Sequence, residues 1–530
     1  MIAHFRIIFF AFLALALGIW LTSLCYYASS LYLIILVSCI GLMLIIALFY
    51  LLFKNKFFSF FWNIKWHLVL IAVFIGLGVG LFHIAVAQHQ VNFIPEKKVT
   101  YGISGVVDTN YIEKEKGVYF ILSDAKVINN GIDQDLNFNV FVYMYYPEDG
   151  GRYSEQELEK ILPGNFVYMT SKIVYTPVFD DEINTFAYSS GFQYSCFTNL
   201  DNVVAIDGKM GFWDSIREHI RGMYKENMDE IYAGLAFSIL VGDKTELDPN
   251  ISNNFAISGI IHVIAVSGLN TAFIVMLLMF FLKKLRIKWL KLGIVLTVLV
   301  FYAILCDLTP SVVRASLMSI FLLITHLFGK QGDNLTSISL SGIIILLFYP
   351  LYVFDLGFLL SYAGTFGIFL LYKPLTRLFE RMKFKKLSSP LALTLSATIA
   401  TTPLIVNAFG YIPTWGLIGN LILVPLFGYA FMLLFLVTVV ALILPFFAKV
   451  LWLMQWGFWL VDKGAWLITL LPYNMIYPKP TPSWGLVGYY TGCFYMSNFC
   501  VAKAPIKYRL VASSFAVFWI AFILAQCFTL

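Results

Sequence analysis

The chain has 530 residues, 60% of them apolar and 12% charged, with a mean hydropathy of +0.81. Soluble globular domains carry about 25% charged residues, so an ordinary soluble fold is excluded. A polytopic α-helical membrane protein is expected instead, and the small net charge of +6, set largely by loops, points to no ligand class.

Three apolar runs come first, at about 6–27, 30–53 and 67–88, each long enough to cross a bilayer. The first has no small-residue cleavage site and reads as a span, not a removable signal. A polar region over 90–205 follows. Four runs in it alternate like strands and are rich in Val, Tyr, Phe and Ile: "TYGISGVVDT", "GVYFILSDAKVI", "LNFNVFVYMYY" and "GNFVYMTSKIVYT". Short strands between turn residues predict a small β-barrel or sandwich. An amphipathic helix at about 210–230 leads back to the membrane. The next apolar stretch, 231–242, is too short to span and reads as re-entrant or interfacial. Full spans are expected near 255–282, 290–307, 310–329, 334–349, 353–372, 390–408, 413–444, 449–471, 485–501 and 509–529. The 413–444 run is too long for one simple helix. Its Gly419, Asn420, Pro425 and Gly428 predict a break or two half-helices.

Four basic loops test this count. They hold Lys54, Lys56 and Lys65; Lys283, Lys284, Arg286, Lys288 and Lys291; Lys373, Arg377, Arg381, Lys383, Lys385 and Lys386; and Lys503, Lys507 and Arg509. Placing all four in the cytoplasm makes every intervening span count agree, and it puts the β domain outside the cytoplasm. The expected division is therefore N-terminal transmembrane helices over 1–89, an extracytoplasmic β domain over 90–205, an amphipathic helix with a short re-entrant segment over 206–254, and a transmembrane domain over 255–530. Of seven cysteines, six lie in apolar segments as small hydrophobes, Cys196 stands alone in the β domain, and no pair has metal-ligand spacing.

Polar and helix-breaking residues inside apolar runs are costly and usually face a cavity or a partner. "LVGDKTELDP" supplies Lys244. "GIIHVIAVSGLN" supplies Gly259, His262, Ser267, Gly268 and Asn270; if the run is helical, Ser258, His262 and Asn270 share one face. "CDLTPSVVRASLM" places Asp307 and Arg314 about Pro310. "FDLGFLLSYAG" carries Asp355 and Ser361, "ATIATTPLIVNAFG" carries Pro403, and "GLIGNLILVPLFG" carries Asn420 and Pro425. The bland alternatives are interhelical hydrogen bonding for His262, close packing for Ser267 and Ser361, and an ion pair of Arg314 with Asp307 or Asp355. Asp462 and Lys463, adjacent in mid-span, point about 100° apart and so could neutralise each other only partly, and the sequence gives them no other partner. No phosphate-binding loop, metal cluster or nucleophile elbow is present, so neither a cofactor nor an enzyme activity is expected. The residues alone lead to a channel or transporter with a broken-helix core.

These stretches resemble the ComEC family of competence DNA-uptake channel proteins. "GDKTELDPNISNNFAISGIIHVIAVSGLN" is similar to the family signature, and "PSVVRASLM", "FDLGFLLSYAGTFGI", "TTPLIVNAFGYIPTWGLIGNLILVPLFG" and "LPYNMIYPKPTPSW" resemble later blocks in the same order. The resemblance implies that 95–205 is an OB-like β-barrel inserted after the third span. It also implies a channel passing single-stranded DNA through the cytoplasmic (inner) membrane. Lys244, His262, Ser267, Asn270, Arg314, Asp355, Ser361 and Asn420 are the DNA-path candidates, with Gly259, Gly268, Pro310, Pro403 and Pro425 as structural breakers. Implied partners are a periplasmic or surface DNA receptor, a cytoplasmic helicase-like ATPase and a separate nuclease.

Three departures from the family pattern stand out. Asn270 replaces a second His. Leu359 replaces a Gln. The chain stops at Leu530 after a membrane span, a short form without the metallo-β-lactamase-like domain of many members. The 90–205 region holds eight Lys and Arg against sixteen Asp and Glu, a net of −8, which disfavours general phosphate binding and favours receptor docking or gating. The competing readings are a small-molecule or lipid-precursor transporter on the same core, and a membrane scaffold without transport activity.

Overall fold

The computed structural model describes residues 7–27, 59–96, 99–114, 116–129, 132–147, 152–178, 183–206, 211–264, 266, 268–327, 334–380, 387–497 and 504–527. The expected span at 30–53 and Ser267 lie outside these residues. Contacts divide the chain into two compact units, Met1–Ile216 with Thr336–Asp355, and Arg217–Leu335 with Leu356–Leu530.

In the first unit the helices Ile7–Tyr27 and Ser59–Gln88 pair closely. A Cβ on Gly78 would lie 2.9 Å from the Ile19 nitrogen, so the helices touch backbone to backbone there. The polar region forms β1 (Thr100–Val107), β2 (Ile112–Lys114), β3 (Gly117–Asn129), β4 (Ile132–Asp135), β5 (Asn139–Tyr145), β6 (Phe166–Tyr175), β7 (Phe192–Thr198) and β8 (Val203–Ile206). Strands β1, β3, β5, β7 and β6 follow one another around the sheet, and β1 pairs back onto β6, so five strands close a barrel. The β5–β7 pairing is parallel and the others are antiparallel. Val118, Phe120, Val142, Met144, Val167, Met169, Tyr194 and Cys196 fill the interior. The four runs read from the sequence are β1, β3, β5 and β6. The closing strand β7 has no such alternation to read, because nearly all of it is buried.

In the second unit the described residues form mainly helices. Across the described chain, six helices are long and apolar enough to cross a membrane: Leu70–Gln88 in the first unit, and Lys288–Leu305, Leu356–Phe379, Ser388–Phe409, Gly416–Ile443 and Lys507–Gln526 in the second. With the barrel, this is a multi-pass helical membrane protein carrying an OB-like β-barrel.

Two span expectations need correction. The 255–282 run is not one helix: Pro249–Ile257 and Gly268–Phe281 are separate, with a 3-10 turn at Ile261–Val263 among the described residues between them. The 413–444 run is not broken: Gly416–Ile443 is continuous over 28 residues with Pro425 inside. At about 1.5 Å per residue it spans roughly 42 Å and fits a bilayer core by tilting. Its glycines serve contact instead of interruption. A Cβ on Gly428 would press into the Phe273 ring. Pro403 likewise lies inside a continuous helix, Ser388–Phe409, while Pro310 opens Pro310–Leu327, where its missing N–H costs nothing.

Candidate functional site: an interrupted helix and its polar surroundings

The signature stretch begins with the helix Glu230–Val241, buried from Ala233 to Val241. Gly242 ends it in the left-handed region, φ 98°, its N–H donating to the Ser238 carbonyl at 2.9 Å. Asp243 then faces two ways. Its Oδ1 accepts from the Thr245 backbone N–H and hydroxyl, and its Oδ2 pairs with Arg221 at 2.7 Å. Asp248 caps Pro249–Ile257 by accepting from the N–H groups of Asn250 and Ile251. "GDKTELDP" is thus a stop, an ion-pair anchor and a start, with Lys244 exposed between them.

The interruption follows. Gly259 adopts φ 76°, and the Ile260 N–H returns to the Phe255 carbonyl at 2.8 Å. Gly259 also sits against the start of Gly416–Ile443, where an added Cβ would lie 2.6 Å from the Gly416 Cα. The Ser258 carbonyl presses on Gly419, and Asn420 Nδ2 donates to the Gly259 and Gly416 carbonyls at 3.2 and 2.7 Å. Ile260, Val263, Ile264 and Val266 turn inward and are buried, while His262 is exposed with its ring bonded to the Gly259 backbone. Ser311 Oγ donates to the Val266 carbonyl at 2.7 Å, and Gly268 packs on Ala315.

Behind the interruption lie buried polar groups. Asn270 is fully buried, and its Nδ2 donates to the Ile239 carbonyl at 3.1 Å. Its Oδ1, the Thr271 hydroxyl and the Tyr302 hydroxyl have no hydrogen-bond partner of acceptable geometry among the described residues, although Tyr302 lies beside Asn270 and Cys306. Arg314 is buried with its guanidinium 5.6 Å from the centre of the Tyr362 ring, a cation–π contact. Ser361 and Asp355 are half-buried, and Asp355 falls in the first unit. The structure therefore gathers Gly259, Asn420 and His262 at the interruption and Gly268, Asn270 and the Arg314 helix about it; Lys244 stands in the preceding loop.

Several engaged residues escaped the sequence reading. Arg221 pairs with Glu218 and Asp243, both at 2.7 Å, approaches Glu246 at 3.7 Å, and lies over the Phe237 ring; Lys225 also reaches Glu246. Arg217 pairs with Asp307 and donates to the Ile304 and Leu305 carbonyls. That grip holds a turn in which Asp307 and Leu308 both have positive φ, 53° and 50°, a conformation costing about 1–3 kcal/mol per residue. The signal was present in Phe212–Asn227, where Arg217, Arg221 and Lys225 recur every four residues along one face. Asp462, unpartnered in the sequence, is buried; it bonds Asn254 and Tyr232 and pairs with Lys463 at 3.3 Å. Pro403 lacks an N–H and so frees the Ile399 carbonyl, which accepts from the Tyr489 hydroxyl at 2.8 Å.

The interrupted helix and most of its surroundings fall within one matched region. A family model described as "Competence protein" matches residues 239–501. Over these residues the chain carries the competence-protein region of the ComEC family. It is 28% identical over 216 residues to "ComE operon protein 3" of Bacillus subtilis (strain 168), covering 41% of this chain and 27% of that relative. It is 29% identical over 219 residues to an uncharacterized protein of Aquifex aeolicus (strain VF5), covering 41% of this chain and 50% of that relative. The matches thus span half or less of these relatives' lengths. No solved structure matches.

Proposed function

We propose that this ComEC-family chain conducts single-stranded DNA across the cytoplasmic membrane during natural transformation. The observation that carries the reading is the interruption between Ile257 and Gly268 inside an apolar run, backed by buried polar atoms on Asn270 and Thr271 that have no hydrogen-bond partner among the described residues. Non-helical backbone at membrane depth is tolerated where it is buried in protein or lines a watered cavity. Buried polar atoms are ordinarily satisfied by protein, water or a ligand. His262 and Arg314 supply donors of the kind a phosphodiester chain needs. In this reading the barrel stands outside the cytoplasm and serves to dock a surface DNA receptor or to gate the channel, and a cytoplasmic helicase-like ATPase draws the strand through.

The test is transformation frequency in a naturally competent strain lacking the gene, with fluorescent DNA to locate the block. DNA held outside the cytoplasm is the expected result, and unchanged transformation would sink the reading in favour of small-molecule transport. Arg314→Ala and His262→Ala should each lower transformation about tenfold with the membrane level of the protein unchanged, a loss equivalent to about 1.4 kcal/mol. Normal frequencies in both variants would remove these side chains from the path.

A further inference from the structure

The outer face of the barrel carries a feature that DNA conduction does not use. Phe197 on β7 is flanked across the sheet by Tyr143 on β5 and Lys172 on β6. Tyr145, two residues along β5 from Tyr143, stacks with Phe197 at 6.2 Å between ring centres and 25° between planes. Both rings are open, Tyr145 at 43% and Phe197 at 46% exposure. They form one wall of a cleft of about 480 Å³. The Phe197 backbone is held by Ser171, whose hydroxyl donates to its carbonyl at 2.8 Å. The rest of the cleft is mostly neutral and hydrogen-bonding, with Thr100, Thr170, Asn199 and Asn202 all exposed along it.

We propose that this cleft binds a neutral carbohydrate chain. Exposed aromatic faces carry negative π density, onto which the electropositive C–H face of a pyranose stacks. The surrounding hydroxyls and amides both donate and accept, as a polyhydroxylated ligand requires. Charge decides against a nucleic acid as occupant. Lys172 is the single cation among the described residues that line the cleft, and the domain carries a net −8. A polyanion gains affinity chiefly by phosphate neutralisation, and here it meets one cation in a repelling field. A sugar polymer is indifferent to that field. Closed five-stranded barrels of this type take oligosaccharides as well as oligonucleotides on their strands.

The probe is the β-1,4-linked tetramer of N-acetylglucosamine. It is added to the full chain in lipid nanodiscs, because glycoside detergents would compete, and saturation-transfer NMR reads the sugar protons. The expected result is saturation of the tetramer by the wild type, at least fivefold weaker in Phe197→Ala and restored in Phe197→Trp. It should be unchanged in Phe166→Ala, an outward aromatic on β6 that does not line the cleft. No saturation by the wild type, or equal signals in Phe197→Ala, overturns the proposal. Displacement of the tetramer by an octathymidylate at lower concentration than the tetramer itself overturns it in favour of nucleic acid. The readout involves no transformation, so the proposal stands or falls independently of DNA conduction.

Discussion

Gly259→Ala isolates what holds the interruption in place. Two costs add at this position. An alanine at φ 76° pays about 1–2 kcal/mol for the left-handed conformation. Its Cβ would also lie 2.6 Å from the Gly416 Cα, and because that neighbour is backbone, relief requires two segments to separate. Overpacking of this kind costs about 1–3 kcal/mol more. The expected loss is therefore about 2–5 kcal/mol. Gly410→Ala is the control, since Gly410 has φ 73° with nothing within 4 Å of an added Cβ; it should lose only the conformational part. The assay is thermal unfolding of the purified chain in detergent, followed by fluorescence-detected size exclusion, with both variants beside the wild type. A Gly259→Ala protein no less stable than Gly410→Ala would refute the close approach of the two backbones. It would leave the interruption explained by chain conformation alone.

Three further outcomes are expected. Tyr489→Phe leaves the Ile399 carbonyl unpaired and should cost about 1–3 kcal/mol; in a Pro403→Ala background, where a backbone N–H returns, the cost should nearly vanish, and an undiminished cost would sever the link to the proline. Arg221→Met removes the cation from Asp243 and Glu218, while Glu246 keeps Lys225, and should destabilise by about 3–5 kcal/mol, whereas Asp243→Asn, which leaves the guanidinium two carboxylates, should cost less; the reverse order in thermal unfolding would show that the cluster is not centred on Arg221. His89 lies between the rings of Phe138 and Tyr188, and burial holds its imidazole below the ordinary 6.5. The folded form therefore takes up a proton less readily than the unfolded chain, so stability is complete above about pH 6.5 and falls as the pH drops through that value. His89→Gln should flatten this decline between pH 7 and 5.5, and an identical slope in the variant would exclude His89 as its source.

What the sequence disclosed depended on the kind of signal each residue leaves. Apolar run length was enough for the membrane class, and period-two alternation located β1, β3, β5 and β6. It could not locate β7, where all but Phe197 is buried and so no polar alternation marks an outer face. Gly, His and Asn in "GIIHVIAVSGLN" marked a place unlike an ordinary span, yet whether Gly259 or Pro425 broke its helix depended on the neighbours. Gly259 has Gly416 against it and takes a left-handed turn, while the Pro425 helix runs on. Asn420, expected to face a path, is spent on the Gly259 and Gly416 carbonyls. Asp462 looked unpartnered because Asn254 and Tyr232 lie more than 200 residues away in sequence. The Arg217, Arg221 and Lys225 stripe could have been read from four-residue spacing alone. Its acceptors in the 240s and at Asp307 could not.

The bond from Tyr489 to Ile399 joins residues ninety apart in the chain. During synthesis the Ser388–Phe409 helix emerges first and enters the bilayer with a proline and an open carbonyl, a defect that water or a passing donor must cover. Only when the Ser483–Met496 helix arrives does the missing acceptor bond form. A later-made part of the chain therefore finishes a helix made before it, and a polypeptide halted between the two would carry that helix in an unfinished, bendable state.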